Sequence, residues 1–217
     1  MPVQWLKDSA HSIVQHSSSH GFKRQEYGSF YQPFQMSIQS LISMNDRWNN
    51  DGEMMLQPRI VKPGDPAKNF SLKDQNDTTF DLYENMQKRI LLSFHPLAWT
   101  AFCAGQMKSL EDNRDVFSGL NTIAVGISVD SVPGKKAWAE TLGITHTPLL
   151  CDFWPQGKVA QQYGLFREAN GFSERANVLI DEMQNVVFVK VYPVHTVPDI
   201  KEVITFIQNL KNPYDTR

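Results

Sequence analysis

Two cysteines in 217 residues, Cys103 and Cys151, are too few for a disulfide framework and fit a reducing, cytoplasmic compartment. Neither sign of charge dominates. With 21 basic and 23 acidic residues the formal net charge is -2, which argues against the electrostatic footprint of a nucleic-acid binder. No run of about 18 apolar residues exists, so no membrane span is expected. The start of the chain has no apolar h-region after a basic stretch, and its acidic residues match its few basic ones, unlike a transit peptide. Internal repeats are absent, and Ser17-Ser18-Ser19 is the one low-complexity tract. His11, His16 and His20 have no cysteine or carboxylate partners at ligand spacing, so no metal site is expected there.

What remains is enough for one sizeable core, since 41% of the chain is hydrophobic. Residues 1–55 are rich in Ser, Gln, Asn and His and read as an N-terminal extension, expected to be disordered or a non-native start. Met54-Met55, just before Leu56-Gln57-Pro58-Arg59, has the look of a domain opening, and translation is expected to begin there. Residues 56–217 read as one domain.

Within it, Ile90-Leu91-Leu92-Ser93-Phe94 is an apolar run suited to a buried strand. His95-Pro96 ends the run, because proline has no N–H for a ladder and restrains the residue before it. Cys103 follows, and then Met107, Leu110 and Phe117 at the spacing of a helix face. A cysteine in the first turn of a helix meets free backbone N–H groups and the positive end of the helix dipole. That setting favours a thiolate, and so a nucleophile at neutral pH. Thr100 lies three residues earlier, about one turn, so its hydroxyl can reach the sulfur. Pro96 offers no N–H and can wall the sulfur off from water.

The remaining pattern is alternating. Phe70-Ser71-Leu72 and Thr78 to Leu82 suggest a hairpin around Asp74-Gln75-Asn76-Asp77. The helix after Cys103 is expected to run to about Phe117. Thr122 to Val129 suits a central strand covered on both faces. Ser131-Val132-Pro133 opens a helix that stops at Gly143. Pro148 to Asp152 is a further strand, with a short helix through Val159 and Tyr163. Ala176 to Asp181 and Val186 to Tyr192 form a hairpin, and a last amphipathic helix carries Ile200, Val203, Ile204, Ile207 and Leu210. This order describes an α/β sheet with helices on both sides.

Pro96, Thr100 and Cys103 as Pro-x-x-x-Thr-x-x-Cys resemble the active-site loop of the peroxiredoxins. The likeness extends over about residues 56–212. Gly126-Ile127-Ser128-Val129-Asp130 resembles the family's next central strand. Asp152-Phe153-Trp154-Pro155 and Tyr163-Gly164 resemble a segment typical of its one-cysteine, alkyl hydroperoxide reductase E-like members. Ser173-Glu174-Arg175-Ala176 resembles the strand that carries the family's active-site arginine. The resemblance implies a thioredoxin-like fold, a central mixed β-sheet flanked by helices, and places Arg175 beside Cys103. It implies a thiol-dependent peroxidase acting on hydrogen peroxide or organic hydroperoxides through a sulfenic acid. No metal, flavin or haem is required by such chemistry. An external thiol, from thioredoxin, a glutaredoxin-like protein or a small molecule, closes the cycle, and a homodimer is implied. Ala101 stands where many members have proline, and Gln106 where an acidic residue is frequent; neither is among the expected site residues.

Two other classes stay open at this stage. A thioredoxin-type dithiol oxidoreductase needs Cys-x-x-Cys, and position 106 is Gln. A monothiol exchanger or a non-catalytic thioredoxin-like scaffold or chaperone remains compatible with the fold. Cys151, in an apolar strand, is expected to be buried and not to serve as a resolving thiol.

Overall fold

The structure, a computed structural model, describes residues 59–85 and 87–210, and the backbone of the two-residue strands Arg47–Trp48 and Met54–Met55. The expectations for residues 1–55 therefore fall almost wholly outside the described residues.

From residue 59 onward the chain first forms a hairpin, β1 (Ser71–Lys73) and β2 (Thr79–Asp81). Its turn is closed by Asp74, whose Oδ1 accepts the N–H groups of Asn76 and Thr78, the ordinary use of an aspartate in a turn. Then come β3 (Arg89–Phe94), α1 (Ala101–Asp112), α2 (Arg114–Gly119) and β4 (Thr122–Ser128). They are followed by α3 (Val132–Leu142), β5 (Leu149–Cys151) and α4 (Lys158–Gln162). A two-residue pair, β6 (Phe166–Arg167) and β7 (Phe172–Ser173), precedes β8 (Arg175–Ile180), β9 (Val186–Tyr192) and α5 (Ile200–Asn209).

Five strands make the central sheet, in the order β9-β8-β3-β4-β5. β3, β4 and β5 are parallel, and β8 and β9 are antiparallel. The sheet is mixed, as the family resemblance implies, and covered on both faces, as the sequence pattern predicts. α1, α2, α3 and α5 pack on one face around Leu91, Met107, Leu110, Trp138, Leu179 and Val203. α4 and the β1–β2 hairpin pack on the other, around Phe70, Ile90, Leu92, Val125, Ile127 and Tyr163. β3 and β8 are buried along their whole length, which is why both read as continuous apolar runs. The exposed edge of β5 is capped by the side chain of Gln75. That amide accepts from the Leu149 N–H at 2.7 Å and donates to the Thr147 carbonyl at 3.1 Å, in place of a neighbouring strand.

One expected element differs. The helix after Cys103 does not run unbroken to Phe117 but breaks at Asn113, whose φ of -107° and ψ of 13° lie off the helical values. Its side-chain amide donates to the Ser109 carbonyl at 2.8 Å and seals the end of α1. Other boundaries follow their caps. Ser131 Oγ accepts from Gly134 at the start of α3, Gly143 ends it at a φ of 68°, and Asp199 caps α5. Among the described residues no helix is long and apolar enough to cross a membrane.

Candidate active site

β3 delivers the chain to the edge of the sheet where the parallel strands end. The His95 N–H adds one more rung, to the Ile127 carbonyl at 3.0 Å. Pro96 is buried in the loop that follows. The loop is pinned from β4. Asp130 Oδ2 accepts the Ala98 N–H at 2.9 Å and the Ser128 hydroxyl at 2.6 Å. Trp99 then adopts a φ of +65° and is 58% exposed. A bulky residue is rarely held in the left-handed region, and such strain gathers at functional loops.

The turn places Thr100 as the N-cap of α1, in extended geometry. Its side chain does not cap the helix. The hydroxyl donates instead to the Leu97 carbonyl at 3.1 Å, so the first-turn N–H groups of α1 have no side-chain acceptor from the cap. With its one hydrogen committed, the Thr100 oxygen keeps acceptor lone pairs.

Cys103 lies in that first turn and is fully buried. Arg175, the first residue of β8, comes from 72 positions away and sets Nη2 at 3.3 Å from the Cys103 sulfur. Arg175 as a whole is 1% exposed. Its Nε and Nη2 both donate to the Val194 carbonyl, at 2.9 and 2.7 Å, and Nη1 donates to Gln106 Oε1. Four of the five guanidinium N–H bonds are thus committed, and one on Nη1 is left over. The carbonyl of Val194 belongs to the segment after β9, which packs on α1 through Val197 against Gly105 and through His195, whose ring meets Phe102 edge-on at 5.8 Å.

Gln106 is where sequence reasoning fell short. It is buried one turn after Cys103 and joins the site to the sheet. Its Nε2 donates to Ser93 Oγ at 2.8 Å and to the Phe94 carbonyl at 3.1 Å. Ser93 in turn donates to Asn177 Oδ1 at 2.8 Å. The available signal was its spacing from Cys103 on the inward face of α1. Of the residues expected from the sequence, the structure brings Cys103 and Arg175 into contact, sets Thr100 one turn before the sulfur, and buries Pro96 in the connecting loop.

His95 is fully buried, with its ring 5.4 Å from that of Trp138 and neither ring nitrogen hydrogen-bonded. Burial, reinforced by the charges of Lys135 and Arg175, holds its imidazole well below the usual range, and the ring stays neutral. Cys151 is 7% exposed at the end of β5, and burial pushes its thiol up.

A cysteine at a helix start, faced by a buried guanidinium at the strand ends of a thioredoxin-like sheet, is the arrangement of a peroxiredoxin. The chain belongs to the AhpC/TSA family, whose family model matches residues 63–189. It is 40% identical over 124 residues to alkyl hydroperoxide reductase E of Mycobacterium tuberculosis, an alignment that covers 56% of this chain and 80% of that protein. Among solved structures, the reduced 2-Cys peroxiredoxin of Plasmodium vivax superposes with a TM-score of 0.62 at 26% identity, covering 68% of this chain and 81% of that one. Peroxidoxin BcpB of M. tuberculosis gives the same TM-score and identity over 70% of this chain and 99% of its own. The chain is accordingly a thiol-dependent peroxidase, acting on peroxide with a thiol reductant.

Proposed function

We propose that Cys103 is the peroxidatic nucleophile and that Thr100, Arg175 and Pro96 complete its site. The observation that carries this reading is the 3.3 Å contact between Arg175 Nη2 and the sulfur, with both side chains buried. A guanidinium there favours the thiolate. The thiolate attacks the terminal oxygen of a hydroperoxide. An S–O bond forms as the O–O bond breaks, and the electron pair leaves on the distal oxygen, which takes a proton and departs as water or alcohol. Thr100, its hydrogen held by Leu97, accepts from the peroxide O–H and orients it. The spare Nη1–H of Arg175 and the first-turn N–H groups of α1 meet the oxygen on which charge develops. Pro96 closes one wall without adding a donor.

An external thiol then attacks the sulfenic acid, and a second thiol restores Cys103. Thioredoxin, a glutaredoxin-like protein or a low-molecular-weight thiol fits this role, and both hydrogen peroxide and organic hydroperoxides are substrates. Two free, buried cysteines suit a reducing, cytoplasmic setting, and the likeness to 2-Cys peroxiredoxins favours a homodimer. The test is peroxide consumption with dithiothreitol. Wild type should turn over and Cys103→Ser should not, whereas unchanged turnover in that variant would remove the assignment.

A further inference from the structure

Lys135 lies on the inward face of α3 with no exposure to solvent. Lysine is almost never buried in this way unless paired. Its ammonium donates to the Leu150 carbonyl of β5. Among the described residues no carboxylate is within ion-pair distance of it. Three residues on, Trp138 meets the His95 ring. The ammonium therefore enters the space between α3 and the end of the sheet where the active-site loop begins.

The face it occupies is the one that holds the thiols. Leu149 packs in the same cluster as Cys103, Met107 and Trp138, while Leu150 packs in the cluster on the opposite face. Strand alternation therefore turns Cys151 toward the Cys103 side, on the rung shared with Ser128. The groups whose charge acts on Lys135 are Cys151, Asp130 after β4, Asp152 at the end of β5, and Cys103 on α1. Lys135 and Arg175 both act on His95. Both carboxylates are held elsewhere. Asp130 serves Ala98 and Ser128, and Asp152 accepts the N–H groups of Val159 and Ala160.

Resting on the assignment of Cys103 as nucleophile, we propose that Lys135 is a buried positioning cation of the peroxidatic site. Its charge favours the thiolate from the α3 side, as Arg175 does from β8, so removing it lowers the thiolate fraction, and with it the rate, on the acid side of the thiol's own ionisation. Burial pulls the ammonium down to about 8, against the opposing pull of Cys151, Asp130, Asp152 and Cys103. The charge is thus present below about pH 8 and lost as the pH rises through that value. The interaction is reciprocal, since a thiolate that favours the ammonium is favoured by it. Neither neighbour can imitate the effect in this window. Arg175 is already committed to Val194 and Gln106 as well as to the sulfur, and His95 is already neutral.

The test is the second-order rate of Cys103 with hydrogen peroxide from pH 4.5 to 9 in wild type, Lys135→Met, Lys135→Gln and Lys135→Arg. Alkylation by iodoacetamide, followed at the Cys103 peptide by mass spectrometry, is run in parallel. Wild type should gain rate as the pH rises through the ionisation of Cys103 and then reach a plateau. Lys135→Met should have that rise displaced to higher pH, making it roughly three- to tenfold slower on the rising limb, and Lys135→Arg should restore the wild-type profile. A folded Lys135→Met with an unchanged profile overturns the proposal. So does a folded Lys135→Gln whose rise coincides with that of wild type, even if the Met variant does not fold. Because alkylation reads the thiolate without peroxide, loss of peroxide turnover alone condemns the peroxidatic reading, whereas a Lys135-independent alkylation profile condemns this inference.

Discussion

The amide of Gln106 has only one orientation open to it. Nε2 faces the Phe94 carbonyl and Ser93 Oγ, whose own hydrogen goes to Asn177, so Oε1 must face the guanidinium of Arg175. A carboxylate at this position would set an oxygen against the Phe94 carbonyl with no hydrogen between them. It would also compete with the sulfur for the charge on Arg175. Gln106→Glu is therefore expected to slow the reaction with hydrogen peroxide about tenfold at pH 7, with circular dichroism unchanged. Stopped-flow tryptophan fluorescence measures this directly, and a rate equal to wild type would show that the neutral amide is not required. The same residue marks where the sequence stopped being informative. Cys103, Thr100 and Pro96 stood out as candidates by their spacing, and Arg175 by the family resemblance. Gln106 was visible only as a departure from an acidic residue, because an amide's role depends on which groups the fold brings to its two ends.

At the scale of elements, Glu111 ties α1 to the segment that leads into β5. Its carboxylate is buried and accepts the N–H groups of Thr145, His146 and Thr147 at 3.0, 3.1 and 2.8 Å, as well as both threonine hydroxyls. Burial pushes this carboxyl up, but the hydrogen bonds from Thr147, Thr145 and His146 together outweigh it and hold the group well below the usual range. A depressed carboxylate stabilises the fold above its unfolded value of about 4.3 and loses that contribution as the pH falls below it. Glu111→Gln should cost about 2–3 kcal/mol at pH 7, and the difference from wild type should shrink between pH 4.5 and 3. Urea melts at pH 7, 4.5 and 3.5 check both parts, and a pH-independent difference would mean that the charge is not what matters. None of this clamp was read from the sequence. Thr145-His146-Thr147 lies 34 residues or more beyond Glu111, and local periodicity carries no information about such a pairing. The break at Asn113 was missed for a related reason, since Met107, Leu110 and Phe117 keep a helical spacing across it.

At the scale of the whole molecule, the topology was legible because each parallel strand is buried on both faces and each helix on one, so apolar runs and amphipathic stretches alternate visibly along the chain. The face on which Cys151 lies was not, and it bears on how the catalytic cycle closes. Cys151 stands at the same end of the sheet as the active-site loop and on the same side as Cys103, so a disulfide between them has to be weighed on geometry. β5 is the edge strand, held to β4 by the Gly126 N–H on the Pro148 carbonyl at 2.9 Å and the Asp152 N–H on the Ser128 carbonyl at 2.8 Å. Gln75 covers its other edge. The sulfur of Cys103 is engaged by Arg175, and the Cys151 thiol donates to the Leu149 carbonyl within its own strand, at 3.8 Å. A disulfide needs the two Cα atoms within about 7 Å and both sulfurs released from these partners. Burial also pushes the Cys151 thiol up, so it is a poor attacking group at neutral pH. Protein treated with one equivalent of peroxide and a dimedone trap is therefore expected to carry a single adduct at Cys103. Cys151→Ser should turn over peroxide at the wild-type rate with dithiothreitol. An intact mass two hydrogens lighter in wild type, combined with over-oxidation and stalling of Cys151→Ser, would instead make Cys151 a resolving thiol reached by local opening of β5.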